Sequence, residues 1–256
     1  MPTPSPLDAP AHITNLLSKL HRISLDQEAT ISSTKSKILS SEVLADLNQN
    51  QENSESANPD PKHAFDNLML DKFIALDEDK CHFTYQLITA MGATNIVEAG
   101  TSFGVSTIYL ALAVAKNKAA TGKDGVVIAT EKEVRKAEVA RGYWDQCGEV
   151  VSGGIDLRVG DLLDTLKGGL PEAGVDLLLL DIWSALALPT LKIVQPHLRP
   201  GAVVLTDNTI SGAEGYADLL AYLRSPGSGF RNMTLPFTNG FEMSVYQPVA
   251  DTASTT

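Results

Sequence analysis

The sequence predicts an α/β fold: a mostly parallel seven-stranded sheet, an antiparallel C-terminal hairpin and an N-terminal helical extension. Three observations predict it. Beyond residue 64, short β-branched or leucine-rich runs alternate with longer helical stretches, the pattern of parallel strands joined by crossover helices. Five consecutive strand candidates end in an acid or in an acid beside a glycine. Finally, Thr238-Asn239-Gly240 separates the last two runs and signals a hairpin. At 256 residues, 43% hydrophobic and 20% charged, the chain is long enough for one well-buried core. Disordered, collagenous and coiled-coil classes are excluded.

The elements follow in chain order. From His12 to Leu47, apolar residues Ile13, Leu16, Leu17, Leu20 and Ile23, then Ile38, Leu39, Val43, Leu44 and Leu47, recur at helical spacing and predict two amphipathic helices. Residues 48–62 are dense in Asn, Gln, Ser, Glu and Pro and read as a solvated linker or a flexible lid segment. The extension and linker are therefore placed at residues 1–62 and the folded core at 63–256. Strands are expected at 95–99, 126–130, 156–159, 175–180, 202–206, 232–236 and 242–246, with helices at 79–91, 104–116, 134–147, 162–167, 186–198 and 212–224. No internal repeat is visible.

Charge and cysteine content narrow the partners. With 31 acidic against 20 basic side chains, the net charge of −11 would repel a phosphate backbone, so nucleic acid is an unfavourable partner. The first eleven residues hold four prolines and do not read as a secretory signal. No stretch reaches the about 20 consecutive apolar residues of a membrane span. The two cysteines, Cys81 and Cys147, are too few for a disulfide framework or a four-ligand zinc site and suit a reducing, cytoplasmic setting.

Ligands of an open parallel sheet bind beyond the carboxyl ends of its strands, where strand order reverses. Those ends read Glu98-Ala99-Gly100-Thr101-Ser102-Phe103-Gly104, Thr130-Glu131, Gly160-Asp161, Asp181-Ile182-Trp183 and Asp207-Asn208. Gly100 and Gly104 permit a tight turn, and the helix opening there offers free N–H groups to a carboxylate or phosphate. The spacing is neither G-x-G-x-x-G nor a Walker A loop. Glu131 is placed for the two hydroxyls of a ribose, and Asp161 for an adenine amino group. Each could equally cap the helix that follows it. Two carboxylates and an amide oxygen, from Asp181, Asp207 and Asn208, form a hard oxygen set suited to Mg²⁺. Asp207-Asn208 is also an ordinary turn pair.

Taken together, residues 97–107, 129–131, 160–161, 180–183 and 206–208 resemble the class I S-adenosylmethionine-dependent O-methyltransferases. The closer likeness is to the cation-dependent branch that includes catechol O-methyltransferase, with fungal and bacterial relatives acting on small molecules. It covers residues 79–247. The resemblance implies a Rossmann-like methyltransferase domain and a small-molecule acceptor, with a role in secondary metabolism. Glu98 and Gly100 would then meet the methionine amino group. Ser102, Gly104 and Ser106 would lie near its carboxylate, and Glu131, Asp161 and Asp181 would complete the cofactor site. Asp181, Asp207 and Asn208 match the family's Mg²⁺ ligands, so chelation should abolish activity. Asp181, Trp183 and Glu242 match positions at the reaction centre, Glu242 touching the acceptor hydroxyl. Its other reading is a solvated edge-strand acid.

One position departs from the family. A lysine base follows the aspartate-x-tryptophan segment in many relatives, whereas here Ser184 does. A serine hydroxyl is a poor base without a partner. His82 is a possible substitute on the helix before the first strand. Otherwise the acceptor is activated by a cation, is ionised already, or the chain binds cofactor without turnover. A nicotinamide oxidoreductase is disfavoured by the missing G-x-G-x-x-G. The apolar faces of the N-terminal helices must be covered by the core or by a twin subunit, which makes a homodimer an expectation.

Overall fold

The computed structural model describes residues 5–38 and 72–248, with the side chains of 31–38 left aside. Helix α1 (Ala11–Ile38) is one continuous helix through the first predicted helix. The predicted second helix lies almost wholly outside the described residues, as does the linker. The chain divides into two compact units, residues 16–75 and residues 1–15 with 76–256. Within the smaller unit, the backbone N–H groups of Phe73 and Ala75 donate to Gln27 Oε1 (2.8 Å) and Ser24 Oγ (2.9 Å).

The larger unit holds one sheet in the order β3-β2-β1-β4-β5-β7-β6. Its strands are β1 (Asn95–Ala99), β2 (Val126–Glu131), β3 (Ile155–Val159), β4 (Val175–Leu180), β5 (Leu198–Asp207), β6 (Phe230–Leu235) and β7 (Phe241–Tyr246). The first five run parallel, while β7 pairs antiparallel with both β5 and β6. Every residue of β1 and β4 is buried, as expected of central strands covered on both faces, whereas the edge strand β3 is only partly covered. The chain leaves β1 toward β2 and β3, then returns to β4 on the other side. The strand order therefore reverses between β1 and β4.

Helices α2 (Glu78–Met91), α3 (Val105–Thr121), α4 (Val134–Cys147), α5 (Glu149–Ser152), α6 (Leu162–Thr165), α7 (Ser184–Val194) and α8 (Ala217–Arg224) complete this unit. Every predicted strand is present, and the short helix α5 was not foreseen: four residues are too few to show a helical period. Asp176 interrupts the apolar run of β4 for a structural reason. It accepts from the N–H groups of Thr94 and Asn95 at 2.7 and 2.8 Å and pairs with Arg199, tying the starts of β1, β4 and β5 together. The hairpin turn at 236–240 has Asn239 at φ 63° and Gly240 at φ 85°. Asn239 O accepts from the N–H groups of Ile210 and Ser211, which fixes the loop leaving β5.

Candidate functional site

The site begins at the end of β1. Glu98 is fully buried, and its carboxylate accepts from the hydroxyls of Thr101 (2.8 Å), Ser106 (2.6 Å) and Thr107 (2.5 Å). Burial raises its pKa, and the three hydroxyl donors oppose that rise. Glu98 thus organises the turn and the first turn of α3. Gly100, at φ 92°, lies against the backbone of Asp181; an added Cβ would stand 2.1 Å from that carbonyl oxygen. Gly104, at φ 78°, also passes close to Trp144, whose indole N–H donates to Gly104 O at 2.9 Å. Both glycines are thus demanded by neighbouring parts of the chain.

Ser102 adopts φ 49°, and its N–H donates to Glu131 Oε2 at 2.7 Å. Glu131 Oε1 accepts from the N–H of Glu133 at 2.8 Å. Burial raises the pKa of Glu131 against these N–H donors. Each carboxylate oxygen keeps a second lone pair for a ligand hydroxyl. No side chain caps the start of α3, so its N–H groups and positive dipole end remain available to an anion. This donor set fits the two ends of S-adenosylmethionine: an amino-acid carboxylate at α3 and a ribose diol at Glu131.

The end of β5 is organised by a residue that the strand-end motifs do not include. Lys80, on α2, is completely buried, and its Nζ donates to Asp207 Oδ1 at 2.6 Å and pairs with Asp77 Oδ2 at 2.8 Å. Burial pulls its pKa down, but the two acids outweigh that and raise it, so the ammonium is the stable form. The second oxygen of Asp207 accepts from the Asn208 amide at 2.9 Å. Burial and then the charge of Asp207 raise the pKa of Asp181 well above the usual carboxylate range, opposed by Lys80. Burial raises Asp207 too, against the Lys80 hydrogen bond. One ammonium therefore offsets part of the charge of Asp77, Asp181 and Asp207, bonded to the first and last and acting on Asp181 only through its charge. Lys80, Thr84 and Ile88 occupy i, i+4 and i+8 of the buried face of α2. A lysine at an inward helical position was the signal available in the sequence.

The predicted magnesium site does not fit this arrangement. Asp207 already holds a buried ammonium at 2.6 Å, so an ion bound there would face that ammonium across one carboxylate, and like charges about 4 Å apart repel by about 4 kcal/mol per unit of charge at an effective dielectric of about 20.

The other expected residues make contacts of their own. Asp161 is exposed and caps α6, accepting from the N–H of Leu163 at 2.8 Å. Glu242 is not a solvated edge acid. It is 1% exposed and joined to Arg224 (2.9 Å) and Thr234, on the strand face opposite Phe241, whose ring lies 5.9 Å from Lys80. It is thereby separated from Asp181 and Asp207, because adjacent strand residues point to opposite faces. His82 packs on Tyr109 and meets Ser5 instead of the acids. Trp183 is 52% exposed just before α7. Ser184 faces Gly215 so closely that a Cβ there would lie 2.2 Å from its Oγ.

Residues 97–209 match the methyltransferase domain family. The chain is 32% identical over 139 residues to a catechol O-methyltransferase of Mycobacterium tuberculosis, covering 54% of this chain and 59% of that protein. It thus spans less than two thirds of that relative's length. Among solved structures, the O-methyltransferase TomG of Streptomyces achromogenes, involved in tomaymycin synthesis and bound to SAM, is 23% identical with a TM-score of 0.58, over 75% of this chain and 92% of that one. The O-methyltransferase of Bacillus cereus in complex with SAH is 20% identical with a TM-score of 0.57, over 85% of this chain and 97% of that one. The fold is the Rossmann-like methyltransferase fold, and the resemblance read from the strand-end motifs holds for the matched segment.

Proposed function

We propose that this protein is an S-adenosylmethionine-dependent O-methyltransferase acting on a small organic acceptor. The observation that carries the proposal is the join between Ser102 N–H and the Glu131 carboxylate beside the uncapped start of α3, where strand order reverses. The cofactor supplies an electrophilic methyl group on a sulfonium. The chain's part is to bind and orient. The α3 N–H groups, with Ser102 and Ser106 nearby, would hold a carboxylate. Glu131 would accept from a ribose diol, and Asp161 would border the adenine. Glu98 holds the intervening turn rigid through its three hydroxyl donors. Alignment of two bound reactants supplies much of the acceleration of an in-line displacement.

Ser184 contributes no base. The reading therefore favours acceptors whose oxygen is ionised before transfer, a carboxylate or an acidic enol or phenol, and it includes no magnesium step. The buried, free thiols of Cys81 and Cys147 support a reducing, cytoplasmic setting. Among the described residues no helix is long and apolar enough to cross a membrane. A homodimer through α1 and a place in secondary metabolism belong to the same reading, the first open to light scattering.

Calorimetric titration with S-adenosylhomocysteine tests the cofactor assignment. Glu131→Ala should weaken binding by about 1–3 kcal/mol, the cost of losing a charged hydrogen-bond acceptor. Unchanged affinity would remove Glu131 from the ribose position. Cofactor binding without turnover on phenols, enols and carboxylic acids would favour a non-catalytic binding protein, the reading motivated by Ser184.

A further inference from the structure

We propose that the Lys80 ammonium is the resident cation of the Asp77–Asp181–Asp207 cluster, standing where the cation-dependent branch holds a divalent ion, so that this protein works without metal. The proposal rests on reading the cluster as part of the methyl-transfer site. Its support is geometric. The Lys80 side chain is 1% exposed, and its ammonium lies 2.6 Å from Asp207 and 2.8 Å from Asp77. Asp77 sits at the N-cap of α2 yet makes no capping bond there, so its carboxylate serves the lysine instead of the helix. The Phe241 ring covers the ammonium from β7 at 5.9 Å, a cation–π distance. An ammonium buried this way cannot make room for an ion without losing both of its carboxylate partners while still buried.

A fixed lysine and a bound metal differ in what they admit. A divalent ion keeps coordination positions for water and acceptor oxygens, whereas the ammonium offers only N–H donors, and those toward Asp77 and Asp207 are spent. Lys80 therefore ties Asp207, at the end of β5, to Asp77, at the start of α2, and provides no coordination position for an acceptor oxygen. It is a positioning residue.

The test is Mn²⁺ titration of the full chain followed by electron paramagnetic resonance, where bound ion leaves the free-ion spectrum. The wild type should show no saturable uptake, and Lys80→Gln, which removes the charge, should gain one saturable site that Lys80→Gln/Asp207→Asn lacks. EDTA should leave wild-type turnover unchanged. Saturable uptake of one Mn²⁺ by the wild type would overturn the proposal, as would a folded Lys80→Gln that takes up no more than the wild type. If circular dichroism shows Lys80→Gln unfolded, the wild-type titration alone decides. A thermal shift with S-adenosylhomocysteine on the same wild-type sample separates the two readings. Its absence would count against the methyltransferase assignment, while the Mn²⁺ result continues to decide the role of Lys80.

Discussion

Lys80→Met should lower the unfolding free energy by about 3–5 kcal/mol, the loss expected when one partner of a buried ion pair is removed. The methionine fills similar volume, so the effect isolates the charge. Asp207 and Asp77 lose a donor at 2.6 and 2.8 Å, and Asp207 is itself only 5% exposed. Such a loss approaches the whole stability of a marginal domain. Urea denaturation measures it, and Lys80→Met/Asp207→Asn should recover part of the loss, because the stranded charge is gone. The two substitutions share one interaction, so their effects will not add. A neutral Lys80→Met would mean that the ammonium is not the partner of these acids.

Gly100→Ala should cost about 4 kcal/mol, from two sources. At φ 92° any side chain is strained by about 1–3 kcal/mol, and the methyl would stand 2.1 Å from the Asp181 carbonyl oxygen and 2.6 Å from Ile182 Cγ2. Overpacking adds about 1–3 kcal/mol. The obstacle is backbone anchored by the Asp181 N–H to Ala99 O bond, so it cannot swing aside as a side-chain end would. Gly142, inside α4 with nothing within 4 Å, is the control. There Gly142→Ala should stabilise by about 0.5–1 kcal/mol. Thermal and urea unfolding of the two variants side by side check both signs. Equal effects would contradict the packing described around Gly100.

The placement of residues at strand ends was legible in the sequence because it depends on short-range pattern. Residues 95–99, 134–147 and 175–180 are β1, α4 and β4 as the periodicity bounds them. Strand β4 is buried at every residue and apolar except at Asp176, where an acid meets two backbone N–H groups. Local pattern is silent on which strand-end acids converge. Asp161, Asp207 and Glu242 look alike in sequence, yet one caps α6, one holds Lys80 and one is paired with Arg224.

By itself the sequence determined the α/β class and the hairpin at the sheet edge and put Gly100, Ser102 and Glu131 at strand ends, since these follow from hydrophobic period and turn chemistry over a few residues, whereas the bond that joins Ser102 to Glu131 spans 29 positions. The tertiary structure alone decided what neutralises Asp207. Lys80 is 127 positions away from it. No period or spacing links two charges brought together by the packing of α2 against the sheet. An ammonium in that position donates N–H groups where a metal would accept oxygen ligands, and which of the two the acids meet is a property of the assembled site.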